Sequence, residues 1–236
     1  MRELSICAFS LIGGREVNED AVCQGRRGRR VVGVVADGLG GQGGGDVASR
    51  LAAEETLKIL LEAKRLSPAA LRDAMERVNS TVLAQQFASG CKMMTTLAVA
   101  AVEGRRVLLA HLGDTRVYRF RNGRLIYCSS DHSVTQKLAD SGEITRDQMR
   151  DHETRNLLLK CLGQMETPAP ETRQGWMLGN ERLLLCTDGF WEKFSDGELA
   201  RAMADSSVEN ILSGLKKTAL ERADAESDNI SALLIG

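Results

Sequence analysis

The sequence has little of what marks several common functional classes, and each shortage excludes something. It contains only three histidines, His111, His132 and His152, and its six cysteines (Cys7, Cys23, Cys91, Cys128, Cys161, Cys186) never form a C-x-x-C pair. A zinc site of the usual Cys/His kind therefore has few ligands to draw on, and scattered thiols within apolar runs fit reduced, structural cysteines in a cytosol. Charge of either sign is not in excess: 31 Lys and Arg stand against 32 Asp and Glu, so there is no field to attract a nucleic acid. No run approaches the roughly 18 apolar residues of a membrane span. Met1-Arg2-Glu3-Leu4 lacks a charged n-region followed by a long apolar stretch, so no leader peptide is expected. No repeat or low-complexity linker divides the chain. We therefore expect a cytoplasmic protein, monomeric, with no nucleic-acid or membrane partner.

What is present is an ordinary globular balance, 43% hydrophobic and 27% charged over 236 residues, enough for a proper core. We expect one domain spanning 1–236. Leu4 to Ile12 and Val31 to Ala36 read as strands, and the basic run Arg26-Arg27-Gly28-Arg29-Arg30 between strand-like stretches reads as a solvated hairpin turn rather than a docking patch. A glycine cluster (Gly38, Gly40, Gly41, Gly43, Gly44, Gly45) leads into a helix of four or five turns carrying Val47, Ala48, Leu51, Ala52 and Ile59 on one face. Ser67-Pro68 is a helix-start signal for a second amphipathic helix. Thr95 to Val102, Val107 to Leu112, Thr115 to Phe120 and, after the turn Asn122-Gly123, Leu125 to Cys128 read as successive strands of a β-meander. Polar residues of mixed period from about Ser133 to Leu162 suggest short helices and a mobile flap at about 139–155. Leu183 to Cys186 is a strand, Ser207 to Arg222 a helix and Ile230 to Ile235 a closing strand. This order argues for helices packed outside antiparallel sheets.

Four acids share a local pattern, a carboxylate beside a turn residue at the end of an apolar strand: Asp37-Gly38, Gly113-Asp114, Asp188-Gly189 and Asp228-Asn229. Any one alone is an ordinary turn dipeptide. Gathered at one end of a sheet they would repel one another, and hard cations such as Mg²⁺ or Mn²⁺ relieve that repulsion through oxygen ligands. Two such ions sharing a carboxylate turn a bridging water into a hydroxide nucleophile near neutral pH. Arg15, just upstream of Glu19 and Asp20, adds planar donors that match phosphate oxygens, so the expected reaction is phosphate-ester hydrolysis.

Arg15-x-x-Asn18-Glu19-Asp20, Ala36-Asp37-Gly38-Leu39-Gly40-Gly41, Gly113-Asp114-Thr115-Arg116, Asp131-His132-Ser133, Thr187-Asp188-Gly189 and Asp228-Asn229-Ile230 occur in the order and approximate spacing of the protein phosphatase 2C type. The sequence thus resembles the metal-dependent Ser/Thr phosphatases, in their bacterial form, over nearly its whole length. The resemblance implies an α+β fold, a four-layer α-β-β-α sandwich with two antiparallel sheets flanked by helices. It implies that Asp37 bridges two Mn²⁺ or Mg²⁺ ions, that Asp188 and Asp228 complete the first site, and that Glu19 with the Gly38 carbonyl holds the second. It further implies that Arg15 clamps the phosphate, that Asp114 with Asp188 takes a third, weaker metal, and that Asp20 acts behind the ligands or through water. The implied partners are phosphorylated proteins and a cognate Ser/Thr kinase. Leu39 departs from those eukaryotic members that carry a leaving-group histidine there, so a metal-bound water takes that role, and His132 is read as structural rather than as a replacement acid. Met94 stands before Thr95-Thr96 where relatives commonly have Gly, a packing variation.

Two other functions fit the sequence less well. A pseudophosphatase acting as a binding module would be expected to lose a metal carboxylate, and Asp37, Asp188 and Asp228 all remain. A phosphatase with an aspartyl nucleophile needs a second Asp two residues after the first, and Leu39 stands there.

Overall fold

The computed structural model describes residues 3–40, 43–204 and 207–236; Gly41, the last residue of the Ala36–Gly41 motif, and Met1-Arg2 of the N-terminal reading lie outside them. Eleven strands and six α-helices follow in the order β1 (Ile6–Leu11), β2 (Asp20–Arg27), β3 (Arg30–Leu39), α1 (Gly45–Glu62), α2 (Pro68–Ser89), β4 (Met94–Thr95), β5 (Leu97–Glu103), β6 (Arg106–Leu112), β7 (Arg116–Arg121), β8 (Arg124–Cys128), α3 (Val134–Ser141), β9 (Glu171–Trp176), β10 (Glu181–Cys186), α4 (Asp188–Trp191), α5 (Asp196–Ala202), α6 (Val208–Arg222) and β11 (Ile230–Ile235).

They form two sheets, β1-β11-β10-β7-β8 and β2-β3-β5-β6-β9, with β4 added to β3, and the strand pairs are antiparallel. Period-two patterning explains the layers. In β3, Val32, Val34 and Ala36 pack with Ala52, Leu60 and Leu71 of α1 and α2, while Val31 and Val35 face Leu183, Leu185 and Leu233 of the other sheet. That sheet turns Leu184, Ala232 and Leu234 outward onto Phe190, Leu199 and Leu212 of α4 to α6. Three apolar interfaces between four layers make the α-β-β-α sandwich. Among the described residues the outer strand β1 pairs with β11 alone, Ile6 opposite Ile235 and Leu11 opposite Ile230, so β1 depends on a strand more than 200 residues away.

Local signals behave as their chemistry requires. Ser67 caps α2 by accepting the Ala70 N–H, with Pro68 in the first turn. Asn122 and Gly123, with φ of 49° and 67°, make the left-handed pair of a tight hairpin between β7 and β8.

Two expectations need correction. The middle strands are not one meander: β5 pairs with β6 in one sheet and β7 with β8 in the other, so the chain crosses between sheets at Gly113-Asp114-Thr115. The basic turn is not wholly solvated. Arg30 is 6% exposed, its Nε and Nη2 donating to Glu103 and its Nη1 to the Leu60 and Ala63 carbonyls at the end of α1. The sequence reading also passed over β2, β9, α4 and α5.

Candidate active site

The loop after β1, the β2–β3 pair, the sheet crossing and the residues flanking β10 and β11 meet at one end of the sandwich. They enclose a cleft of about 580 Å³ whose wall includes Arg15, Glu19, Asp37, Gly38, Asp114, Asp188 and Asp228. Of the residues expected to hold metal or phosphate, Asp20 alone is absent from that wall. It stands opposite Asp37 in the β2–β3 register and accepts the Thr187 hydroxyl at 2.9 Å, one layer behind the cleft.

Each carboxylate is aimed by its backbone. Asp37 is tied to β4 and to the residue between β4 and β5, through its N–H to Thr96 Oγ1 (3.0 Å) and its carbonyl, which accepts from Thr95 Oγ1 (2.8 Å). Gly38 is packed so closely that a Cβ would lie 2.2 Å from the Gly45 carbonyl oxygen, and its N–H donates to the Glu19 carbonyl at 3.0 Å. Asp188 opens α4 and accepts the Gly189 N–H at 2.7 Å. Asp228 precedes β11, accepts the Asn229 N–H at 2.8 Å through Oδ1, and receives Arg15 Nη2 at 2.8 Å on Oδ2. Asn229 fastens the Arg15 loop: its side chain accepts the Glu19 N–H and donates to the Ile12 and Val17 carbonyls.

Burial is the main electrostatic fact. It pushes Asp37 well above the usual carboxylate range, with Asp188, Asp20, Asp114 and Asp228 adding repulsion. Burial likewise raises Asp188, with Asp228 adding to it, and Asp114, with Asp188 and Asp131 adding. Asp20 is lifted by burial to about 8, and Glu19 is raised by burial and then by Asp46 and Asp228. Acids that oppose one another's ionisation in a low-dielectric pocket fit a resident cation with oxygen preference. They do not close on a single point. Among the described residues, the His, Cys, Asp or Glu set with ligand atoms all within 4.8 Å of one another is His111, His132 and Glu171. Spread carboxylates suit hard ions that keep several waters.

Beneath Asp114 lies a buried support. Arg116 makes a two-pronged pair with Asp131 at 2.6 and 2.8 Å and lies 3.5 Å over the Trp191 ring. Trp191 Nε1 donates to the Asp114 carbonyl at 3.1 Å. Ser133 caps α3 by accepting the Gln136 N–H, so Asp131 and Ser133 are both structural. Burial holds His132 down to about 4, and the ring is neutral at physiological pH.

The sequence reading missed Asp46, Asn156 and Leu158, which line the same cleft, and Glu192, lifted by burial and Asp188 to about 7. Asp46 had a faint signal, an acid in the first turn of a helix after glycines. Asn156 and Leu158 had none.

Helix–sheet–sheet–helix layers with a carboxylate cleft at one end define the class of metal-dependent phosphatases. Residues 10–225 match the protein phosphatase 2C family. The serine/threonine phosphatase stp of Listeria monocytogenes is 31% identical over 94% of this chain and 90% of its own length. The crystal structure of serine/threonine phosphatase Stp1 from Staphylococcus aureus superposes with a TM-score of 0.89 at 26% identity, covering 99% of this chain and 94% of that one. The catalytic domain of serine threonine protein phosphatase PstP, solved in complex with 2 manganese ions, gives a TM-score of 0.84 at 30% identity, covering 98% and 97%. The chain belongs to the protein phosphatase 2C family.

Proposed function

We propose that the cleft hydrolyses phosphoserine and phosphothreonine in proteins with two divalent cations held by its carboxylates. The enzyme is a metal-dependent serine/threonine protein phosphatase. The observation that carries the site reading is the convergence of Arg15, Glu19, Asp37, Asp114, Asp188 and Asp228 on one cleft from five separate stretches of chain.

Asp37 would serve both ions, with Asp188 and Asp228 completing the first site and Glu19 with the Gly38 carbonyl the second. Asp114, with Asp188, would take a third, weaker ion, and Asp20 would act from behind. When bound, Mn²⁺ or Mg²⁺ neutralises the phosphate dianion and acidifies the attacking water. Arg15 supplies planar donors for the phosphate oxygens; its partner in this structure is Asp228, at 2.8 Å. Leu39 borders the cleft and has no proton to give the leaving alcohol.

We read residues 1–236 as one phosphatase unit, with the segment at about 139–155 as a flap beside the cleft that tunes substrate choice. The natural counterpart is a Ser/Thr kinase modifying the same proteins. Among the described residues no helix is long and apolar enough to cross a membrane; a monomeric, cytoplasmic enzyme is our reading. The deciding assay compares phosphoserine, phosphothreonine and phosphotyrosine peptides with and without Mn²⁺. Metal-dependent release from the first two is expected, and turnover that survives exhaustive chelation would rule out the cation mechanism.

A further inference from the structure

The Asp131-His132-Ser133 motif lies outside the cleft, and its histidine is the member whose role remains open. With His111 and the exposed Glu171 it has the spacing of a transition-metal site. Proton positions oppose that. His111 Nε2 lies 2.7 Å from the Ser130 carbonyl, an acceptor only, so His111 Nε2 carries a proton. The Gly113 N–H points at His132 Nδ1 at 3.1 Å. That nitrogen must offer its lone pair, which leaves the proton of the neutral ring on Nε2. A histidine ligating through Nε2 needs the opposite tautomer, and its other nitrogen donates to an acceptor rather than receiving an N–H. The buried His132 Nε2 has no hydrogen-bond partner and lies 3.4 Å from Glu171 Oε1.

The informative contact is therefore the one at Nδ1. Gly113 is held twice by the same residue: its N–H by the His132 ring, and its carbonyl by the His132 backbone N–H at 2.9 Å. The bracketed peptide needs glycine, with φ of +101° and a would-be Cβ 2.6 Å from Thr96 Cγ2. The next residue is Asp114, whose carbonyl is fixed from the other side by Trp191. The His132 ring is in turn stacked on His111, centroids 4.8 Å apart and planes within 10°. Its carbonyl accepts the Leu159 N–H at 2.8 Å, next to Leu158 in the cleft wall. We propose that His132 is a positioning residue, which aims Asp114 by bracketing Gly113 and joins that turn to the segment returning from the flap. This rests on the reading of Asp114 as a cation ligand.

Two variants separate the acceptor from the packing. His132→Phe keeps a ring against His111 but cannot accept the Gly113 N–H, whereas His132→Asn offers a carbonyl oxygen close to where Nδ1 lies. Calorimetric Mn²⁺ titration of wild type, both variants and Asp114→Ala reads the effect without turnover. His132→Phe should weaken the weakest Mn²⁺ event about tenfold or more, the usual loss for a group behind a ligand, and His132→Asn should recover most of it. If Asp114→Ala loses that event while His132→Phe matches wild type, or if Phe and Asn lose equally, the positioning role is overturned and Asp114 keeps its own. If Asp114→Ala binds Mn²⁺ as wild type does, the cation reading of Asp114 falls and the inference falls with it. Should the Phe variant not fold, ¹H–¹⁵N spectra of histidine-labelled wild type decide: the Nε2–H tautomer at His132 is required, and an Nδ1–H tautomer overturns the bracket.

Discussion

Arg15 and Asp228 form an exposed pair, with side chains 54% and 41% accessible, so their mutual attraction contributes little to stability. The guanidinium is therefore free to exchange its carboxylate for a phosphate at small cost. Arg15→Ala should raise the inhibition constant for inorganic phosphate by about tenfold, the low end for charge-assisted hydrogen bonds, while leaving Mn²⁺ affinity close to wild type. Equal phosphate inhibition in variant and parent would remove Arg15 from the phosphate site. The acids of the cleft should behave differently. Asp37→Asn, Asp188→Asn and Asp228→Asn each delete a charge from the proposed cation sites, and turnover should drop by roughly 100-fold or more, beyond the usual loss from groups behind a ligand. Calorimetry should show weaker or fewer Mn²⁺ sites, and near-normal turnover in Asp37→Asn would end the assignment. These residues could be picked out in the sequence because each stands beside a turn residue next to an apolar strand. Asn156 could not, since nothing near it in the chain marks a cleft, and Asp46 has the look of any acid in the first turn of a helix.

At the scale of elements, the segment at about 139–155, proposed as a flap, is better anchored than its polar composition implied. Met149 is 1% exposed, in a short 3-10 turn at Asp147–Met149, and Arg146 donates to Cys128 Sγ at 2.7 Å and lies 3.8 Å from Asp196. One apolar plug among charged neighbours is invisible to a search for stripes. Met149→Ala should cost about 2–5 kcal/mol if the whole domain feels it. We expect local loss instead, seen as faster hydrogen exchange confined to about 139–155. Activity on phosphoproteins should fall far more than activity on p-nitrophenyl phosphate; equal losses on both would count against a substrate-selecting flap. The strands that escaped the sequence reading share one physical trait. β9 mixes exposed and half-buried residues without a fully buried position, and β2 ends in Gly25-Arg26-Arg27, so edge strands like these lack the apolar period that marks β3 or β5. The sheet crossing was hidden for another reason. A Gly-Asp-Thr turn reads alike whether the next strand pairs with the last one or leaves for another sheet.

Across the whole molecule, the buried acids set a pH dependence whose sign follows from their direction. Asp20 is raised from an ordinary 3.8 to about 8, so the folded chain holds a proton that the unfolded chain has already released. The stability tied to that proton is complete below about 3.8 and is lost as pH rises toward about 8. Thermal melting of the chelated enzyme should therefore fall across that window, by up to about 1.4 kcal/mol per pH unit for one such group, and Asp20→Asn should flatten the slope. Mn²⁺ should restore stability at the alkaline end, where ligands are ionised. A chelated protein that gains stability from pH 5 to pH 8 would contradict the burial argument.

The pairing of Ile6 with Ile235 also has a meaning in time. A ribosome releases residues in order at roughly 5–20 per second, so Ile6–Leu11 waits on the order of 10–50 s for its partner. Until then Ile6–Leu11 is an apolar ribbon with an open edge, the kind of segment chaperones cover and neighbouring nascent chains capture. Asp228 emerges just before β11, so a chain stopped ahead of it has neither a closed sandwich nor the full set of cleft acids. With Asp228 as a cation ligand, hydrolysis would be withheld until β11 has been made, and a messenger cut short before the codon for Asp228 should yield a product that is inert rather than unregulated.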